Sequence, residues 1–200
     1  MAASGYEKIK VTLIIGALYI FPVASMLVGF IPFGYRFLLL IIVFILVILS
    51  AMVKNLNLQE LGFADDNLLP ALRDILPITL GFIVLITLRY FLQGTRVDNS
   101  TLQWYFYLFF IFISAPIQEF LYRGYLLHLV SKLGFSQYFL AISSILYSFV
   151  HAIYWDLTTV LLTLIIGFIW GYHYIRFKNL YSVTLSHILL GLVALKTGLL

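Results

Sequence analysis

Seven stretches of this sequence stay apolar for about the thickness of a bilayer, and that limits what the chain can fold into. They run Val11 to Phe30, Phe37 to Val53, Ile75 to Leu92, Leu102 to Ile117, Tyr138 to Tyr154, Leu157 to Tyr174 and Leu180 to Leu199. About 20 consecutive apolar residues carry a helix across the hydrocarbon. The fourth stretch continues past Pro116 toward Leu133. Lipid offers the backbone no hydrogen-bond partner, so only helices and closed barrels cross it. Barrel strands alternate apolar and polar residues, whereas these runs are continuous, so helices are expected. The expected fold is all-α, a polytopic transmembrane helical bundle of about seven helices. Residues 1–200 are expected to form a single membrane domain, with a motif-bearing core at about 102–200.

Composition excludes a soluble alternative. Hydrophobic residues make up 63% of the chain and charged residues 10%, too few to cover a water-facing surface. There is no cysteine, so disulfide and thiolate chemistry are out. The formal net charge of +4 does not point to nucleic acid, because the basic residues sit at span ends. With the N-terminus cytoplasmic, Lys8, Lys10, Lys54, Arg73, Lys132, Arg176 and Lys178 fall inside. Arg36, Arg96 and Lys196 fall outside, with Arg89 near an outer end. This bias predicts a multi-pass integral protein of the plasma membrane. Lys8, Lys10 and the small residues near Ala24 mimic a cleavable leader, but the apolar run continues past them, so a first span is expected.

The least apolar stretch, Lys54 to Asp74, predicts a loop with a short interfacial helix, and Thr95 to Thr101 predicts a polar outer loop. Most polar residues embedded in apolar sequence lie after Leu102, in three places. Ionisable groups inside spans are costly, so each is a functional hypothesis. In Ser114-Ala115-Pro116-Ile117-Gln118-Glu119-Phe120-Leu121-Tyr122-Arg123-Gly124, Pro116 predicts a kink. Glu119 and Arg123 are four apart and share a helix face, while Gln118 points about 100° away. The plainer alternative is an ion pair at the headgroups. Tyr147 and His151 share a face on the next span, where the alternative is an aromatic belt with Tyr154 and Trp155. Ser186 and His187 lie inside the last run, where the alternative is an interhelical hydrogen bond. Gly167 and Gly171 read as a helix-packing pair, and His128 and His173 as interfacial.

Taken together, Glu119, His151 and His187 come from three spans and can converge on one buried polar site, the equipment for activating a water. Their spacing is no known metal motif, so no metal is expected. A divalent metal held by the three in space stays an open alternative.

These segments, in this order, resemble the family of CAAX proteases and bacteriocin-processing enzymes, called CPBP or Abi. That family is recognised by Glu-Glu-x-x-x-Arg, an aromatic-x-x-x-His, Phe-x-x-Gly-x-x-x-Gly and His-x-x-x-Asn. The chain offers Gln118-Glu119-x-x-x-Arg123, Tyr147-x-x-x-His151, Leu164-x-x-Gly167-x-x-x-Gly171 and His187-x-x-x-Gly191. The resemblance implies an intramembrane endopeptidase acting on a membrane-associated peptide or protein, in a water-filled polar cavity. It matches His151 to the histidine that activates water, His187 to the oxyanion histidine and Arg123 to the orienting arginine. Two positions depart from the pattern: Gln118 stands for the first Glu and Gly191 for the Asn. An amide cannot accept the water's proton, so Glu119 is expected to supply the base, with Gln118, Tyr147 and Gly191 in support. The first rival is a degenerate relative that binds a membrane partner without cutting. A proton-relay transporter ranks last, because no inverted repeat is visible.

Overall fold

The computed structural model describes residues 5–200, all helix, turn and loop without a strand among them. Seven helices follow one another among the described residues: α1 (Gly5–Leu27), α2 (Phe33–Val53), α3 (Leu68–Gln93), α4 (Trp104–Lys132), α5 (Ser136–Tyr154), α6 (Leu157–Phe177) and α7 (Leu180–Lys196). The first six are long and apolar enough to cross a membrane, and α7 is shorter at 17 residues. The fourth apolar run and its continuation form one helix through Pro116.

Successive spans alternate in direction, so their ends gather in two layers. One end holds Arg96 against Asp156 at 2.8 Å, and Asn99 donating to the Leu200 carbonyl at 2.6 Å. The Phe33 ring meets Tyr154 edge-on in the same layer. The opposite end holds Asp74 against Arg176 at 2.7 Å. There Asn67 donates to the Phe177 carbonyl at 2.6 Å and Asn179 to the Ala64 carbonyl at 2.7 Å. Residues 54–67 are turns throughout, and Leu68 already opens α3. The expected interfacial helix is therefore absent from these residues. The segment is pinned as a cover of turns instead, because Tyr174 donates to the Leu61 carbonyl at 3.0 Å. Backbone also packs directly on backbone here, since a Cβ at Gly124 would lie 2.6 Å from the Leu61 oxygen.

Helices in lipid associate through close packing and interhelical hydrogen bonds rather than hydrophobic collapse. The α5–α6 seam follows this rule. Gly167 sits against Ser144, and Gly171 against Leu140 and Ser144, with no room for larger side chains. The packing reading of this glycine pair holds.

Pro116 does not break α4. It lies between two π-helical segments, Phe110–Ser114 and Phe120–Tyr125. Proline lacks an N–H and crowds the preceding turn, and a widened turn relieves both problems. The second π segment is held from outside. Tyr19 of α1 donates to the Leu121 carbonyl at 2.7 Å, and Ser143 of α5 donates to the Tyr122 carbonyl at 2.8 Å. Carbonyls of the π segment thus gain side-chain donors inside the bundle, the Leu121 carbonyl in addition to the Leu126 N–H.

Candidate active site

The two π segments set the face that α4 turns inward. Glu119 and Arg123 are both 0% exposed. Glu119 Oε2 lies 3.2 Å from Arg123 Nε. The contact is Coulombic rather than an aligned hydrogen bond, and the three guanidinium nitrogens have no hydrogen-bond partner among protein groups. The cation instead rests on ring faces, 4.4 Å from the Tyr147 centroid and 5.5 Å from that of Trp170.

The other carboxylate oxygen, Oε1, accepts from His187 Nδ1 at 2.7 Å. Glu119 is an acceptor in its ionised form, so Nδ1 carries the hydrogen and Nε2 turns toward the Tyr147 hydroxyl at 3.4 Å. His187 therefore meets Glu119, 68 positions away, and the sequence-based pairing of Glu119 with Arg123 is present as well.

His151 stands one layer out. Its Nδ1 donates to the Tyr147 carbonyl at 2.7 Å, one turn back on α5, and its ring lies 4.8 Å from the Tyr147 ring. In the neutral ring this bond leaves Nε2 with the free lone pair. The residue is half-buried, as is Gln118, whose amide donates to Ser114 Oγ at 2.9 Å within α4. Glu119 and Gln118 thus face different surroundings. Glu119 is locked inside with His187 and Arg123, while Gln118 and His151 are each half-buried.

Gly191 has a neighbour that sequence reasoning did not supply. A Cβ there would run into the Phe110 ring, which also meets His187 edge-on at 5.7 Å between centroids. Trp170 was missed too. It stacks on His187 with centroids 4.6 Å apart and planes 28° from parallel. Its position between Gly167 and Gly171 was a usable cue, since a close helix seam presses the intervening large ring into the bundle. His173 is corrected. It is 1% exposed rather than interfacial, with Nδ1 on Asp74 and Nε2 on Ser182 Oγ, both at 2.9 Å. That Ser–His–Asp order is not a nucleophile's setting. Ser182 is fully buried, and its hydroxyl is committed to the Asn179 carbonyl at the start of α7.

Among the described residues, no three His, Asp or Glu side chains come together as a metal site. An apolar cavity between α1, α2, α4 and α5 is lined by Tyr19, Val23, Leu40, Tyr122 and Val150, with Arg36 at its edge. It reaches the neighbours of His151 but is not lined by Glu119 or His187.

Residues 100–193 match the family model of type II CAAX prenyl endopeptidase Rce1-like proteins. The matched segment, just under half of the chain, is similar to that family. It spans α4 to α6 and most of α7, and contains Glu119, Arg123, Tyr147, His151, Trp170, His187 and Gly191. The resemblance to CAAX proteases read from the four short motifs agrees with it. No curated protein and no solved structure matches the chain. Three spans, α1 to α3, precede the matched segment, and α1 and α3 touch it through Tyr19 on Leu121 and Thr79 on Ser186.

Proposed function

We propose that the chain is a CAAX-type intramembrane endopeptidase that hydrolyses a peptide bond in a membrane-associated protein or peptide. The observation that carries this reading is the Arg123–Glu119–His187 cluster, three ionisable groups buried together within membrane spans. Such a cluster is expensive to bury and is kept where it does chemistry.

In this reading His151 is the base. Its Nδ1–H is fixed on the Tyr147 carbonyl, so Nε2 takes a proton from water as the water attacks the carbonyl carbon, and returns it to the departing amine nitrogen as the C–N bond breaks. Gln118 positions that water but does not deprotonate it. Glu119, with both oxygens engaged, acts by holding His187, which in its doubly protonated form donates from Nε2 to the developing oxyanion. Arg123 lies against the other Glu119 oxygen and balances the charge of the carboxylate. The base role that the sequence suggested for Glu119 thus passes to His151. The protein works in the bilayer of the plasma membrane, as one membrane domain with its N-terminus cytoplasmic. The larger number of basic residues at the end that holds Lys54, Lys132 and Lys178 supports that orientation.

A second reading, a relative that binds a membrane partner without cutting, is favoured by Gln118 and by the Phe110 ring over Gly191. Purified protein in liposomes, given a peptide library and read by mass spectrometry, separates the two. Endopeptidase action predicts cleavage by the parent, a loss of about 10²–10⁴-fold in His151→Ala, and equal or faster turnover in Gln118→Glu. Cleavage unaffected by His151→Ala removes His151 from the mechanism. A silent parent with cleavage only in a Gln118→Glu variant establishes the binding-only reading.

A further inference from the structure

The chain has three tryptophans. Trp104 and Trp155 are 71% and 78% exposed at one end of the bundle, as interfacial anchors are. Trp170 is 2% exposed and placed differently. Its indole Nε1–H donates to Ser186 Oγ at 2.9 Å, Ser186 lies 2.7 Å from Thr79 Oγ1, and Thr79 donates to the Ile75 carbonyl at 2.9 Å. Because the Thr79 hydroxyl is spent on Ile75, Ser186 gives its proton to Thr79 and receives the indole's. One edge of the indole is thereby tied across α7 to α3, and the ring cannot slide along the seam. Its face meets the His187 imidazole at 4.6 Å.

A buried tryptophan needs only one acceptor, which the Ser186 hydroxyl provides. The face-on imidazole is an additional arrangement with an electrostatic consequence. An indole face attracts a cation, and most strongly where water is excluded. The groups facing His187 are Glu119 with Arg123 from α4, and Tyr147 with His151 beyond it from α5. From α6 it meets Trp170, and Phe110 of α4 closes the remaining side. Glu119 is the single carboxylate in this set, and Arg123 offsets part of its charge. The indole face adds attraction for a protonated imidazole without adding a group that Arg123 could claim.

We infer that Trp170 is a positioning residue for the peptide hydrolysis. Its face fixes the plane in which His187 Nδ1 meets Glu119 and Nε2 meets the reacting carbonyl, and it attracts the ring when the ring carries charge. This rests on His187 serving as the oxyanion donor. Loss of the face acts on turnover, because the attraction is greatest when His187 carries charge, and leaves substrate affinity alone.

The test uses the full chain in nanodiscs. In a Trp104→Phe, Trp155→Phe background, Trp170 is the sole emitter, and a protonated imidazole stacked on it quenches its fluorescence. Emission should fall on acidification, and His187→Gln should remove that fall while Gln leaves His151 in place as a control. With the three tryptophans intact, Trp170→Leu should lower kcat about 5- to 30-fold at unchanged KM, the size of one desolvated cation–π contact. Trp170→Phe, which keeps an aromatic face but no Nε1–H, should recover most of it. Acid quenching that persists in His187→Gln overturns the proposal. So does a Trp170→Leu effect on KM, or a Phe variant as impaired as Leu. If the parent cleaves no peptide, the endopeptidase reading fails on its own, and the emission measurement still decides whether the indole faces a protonating His187.

Discussion

Gly191 and Phe110 form a complementary pair across 81 positions of sequence, and neither can be changed alone. Asparagine at 191 would drive its Cβ into the aromatic ring. Gly191→Asn is therefore expected to lower stability by about 1–3 kcal/mol, as overpacking does. Adding Phe110→Ala should return much of that loss, because the obstructing atoms belong to one side chain and not to backbone. Thermal unfolding of the two single variants and the double variant in detergent measures this, and strictly additive effects would refute it. The same scale of argument applies to Glu119. Replacing it by Gln leaves the Arg123 cation buried without an anion, so Glu119→Gln is expected to destabilise the chain by about 3–5 kcal/mol. A loss of cleavage in that variant speaks to folding as much as to chemistry, which makes His151→Ala the cleaner probe. If Glu119→Gln melts at the parent's temperature, the ion pair carries no such energy.

At the scale of one element, α4 decides the site. Its second π segment turns Glu119 and Arg123 inward, and two of its carbonyls accept from Tyr19 and Ser143. Tyr19→Phe and Ser143→Ala should each cost about 0.6–1.7 kcal/mol, the range of interhelical hydrogen bonds in membranes. If the π geometry depends on both, the double variant should lose more than the sum, since α4 can then revert to α register and rotate its polar face. A double-mutant cycle on unfolding free energies checks this, and simple additivity would show that the π turns stand without these donors. Hydrogen exchange at Tyr122 to Leu126 would report the reversion directly.

At the scale of the whole molecule, the two polar layers hold the spans in order. At the Trp104 end, Arg96 lies against Asp156, which also caps α6 by accepting from Thr159. The Arg96 guanidinium, then the Thr159 hydroxyl, holds the Asp156 carboxyl well below the usual carboxylate range. A carboxyl depressed in the folded state contributes stability above its unfolded value, about 3.9, and loses it as pH falls through the lower folded value. Asp156→Asn should therefore narrow the difference in melting temperature between pH 6 and pH 3, and an unchanged difference would place the acid sensitivity elsewhere. Topology is checked by cysteine labelling. Variants at Thr101 and Lys132 should react from opposite faces of the membrane, and labelling from the same face would contradict the alternating spans.

What the sequence determined by itself follows from local rules. Seven apolar runs became seven helices, because lipid leaves the backbone no other choice. The Glu119–Arg123 pair and the Gly167–Gly171 seam were legible, because residues four apart share a helix face whatever surrounds it. The helix expected within Lys54 to Asp74 was not found as a separate element: Leu68 already opens α3, and the alternating polar and apolar residues before it also suit a cover pinned by its own carbonyls. The rest was decided in three dimensions. Periodicity fixes a helix face but not how far each helix is rotated or shifted against its neighbours. So Glu119 meeting His187, Trp170 lying under that imidazole, His173 buried between Asp74 and Ser182, and Phe110 filling the space over Gly191 could not be read along the chain. Each depends on a contact between spans. The two π segments of α4 move its inward face off the regular 3.6-residue repeat on which sequence reading relies.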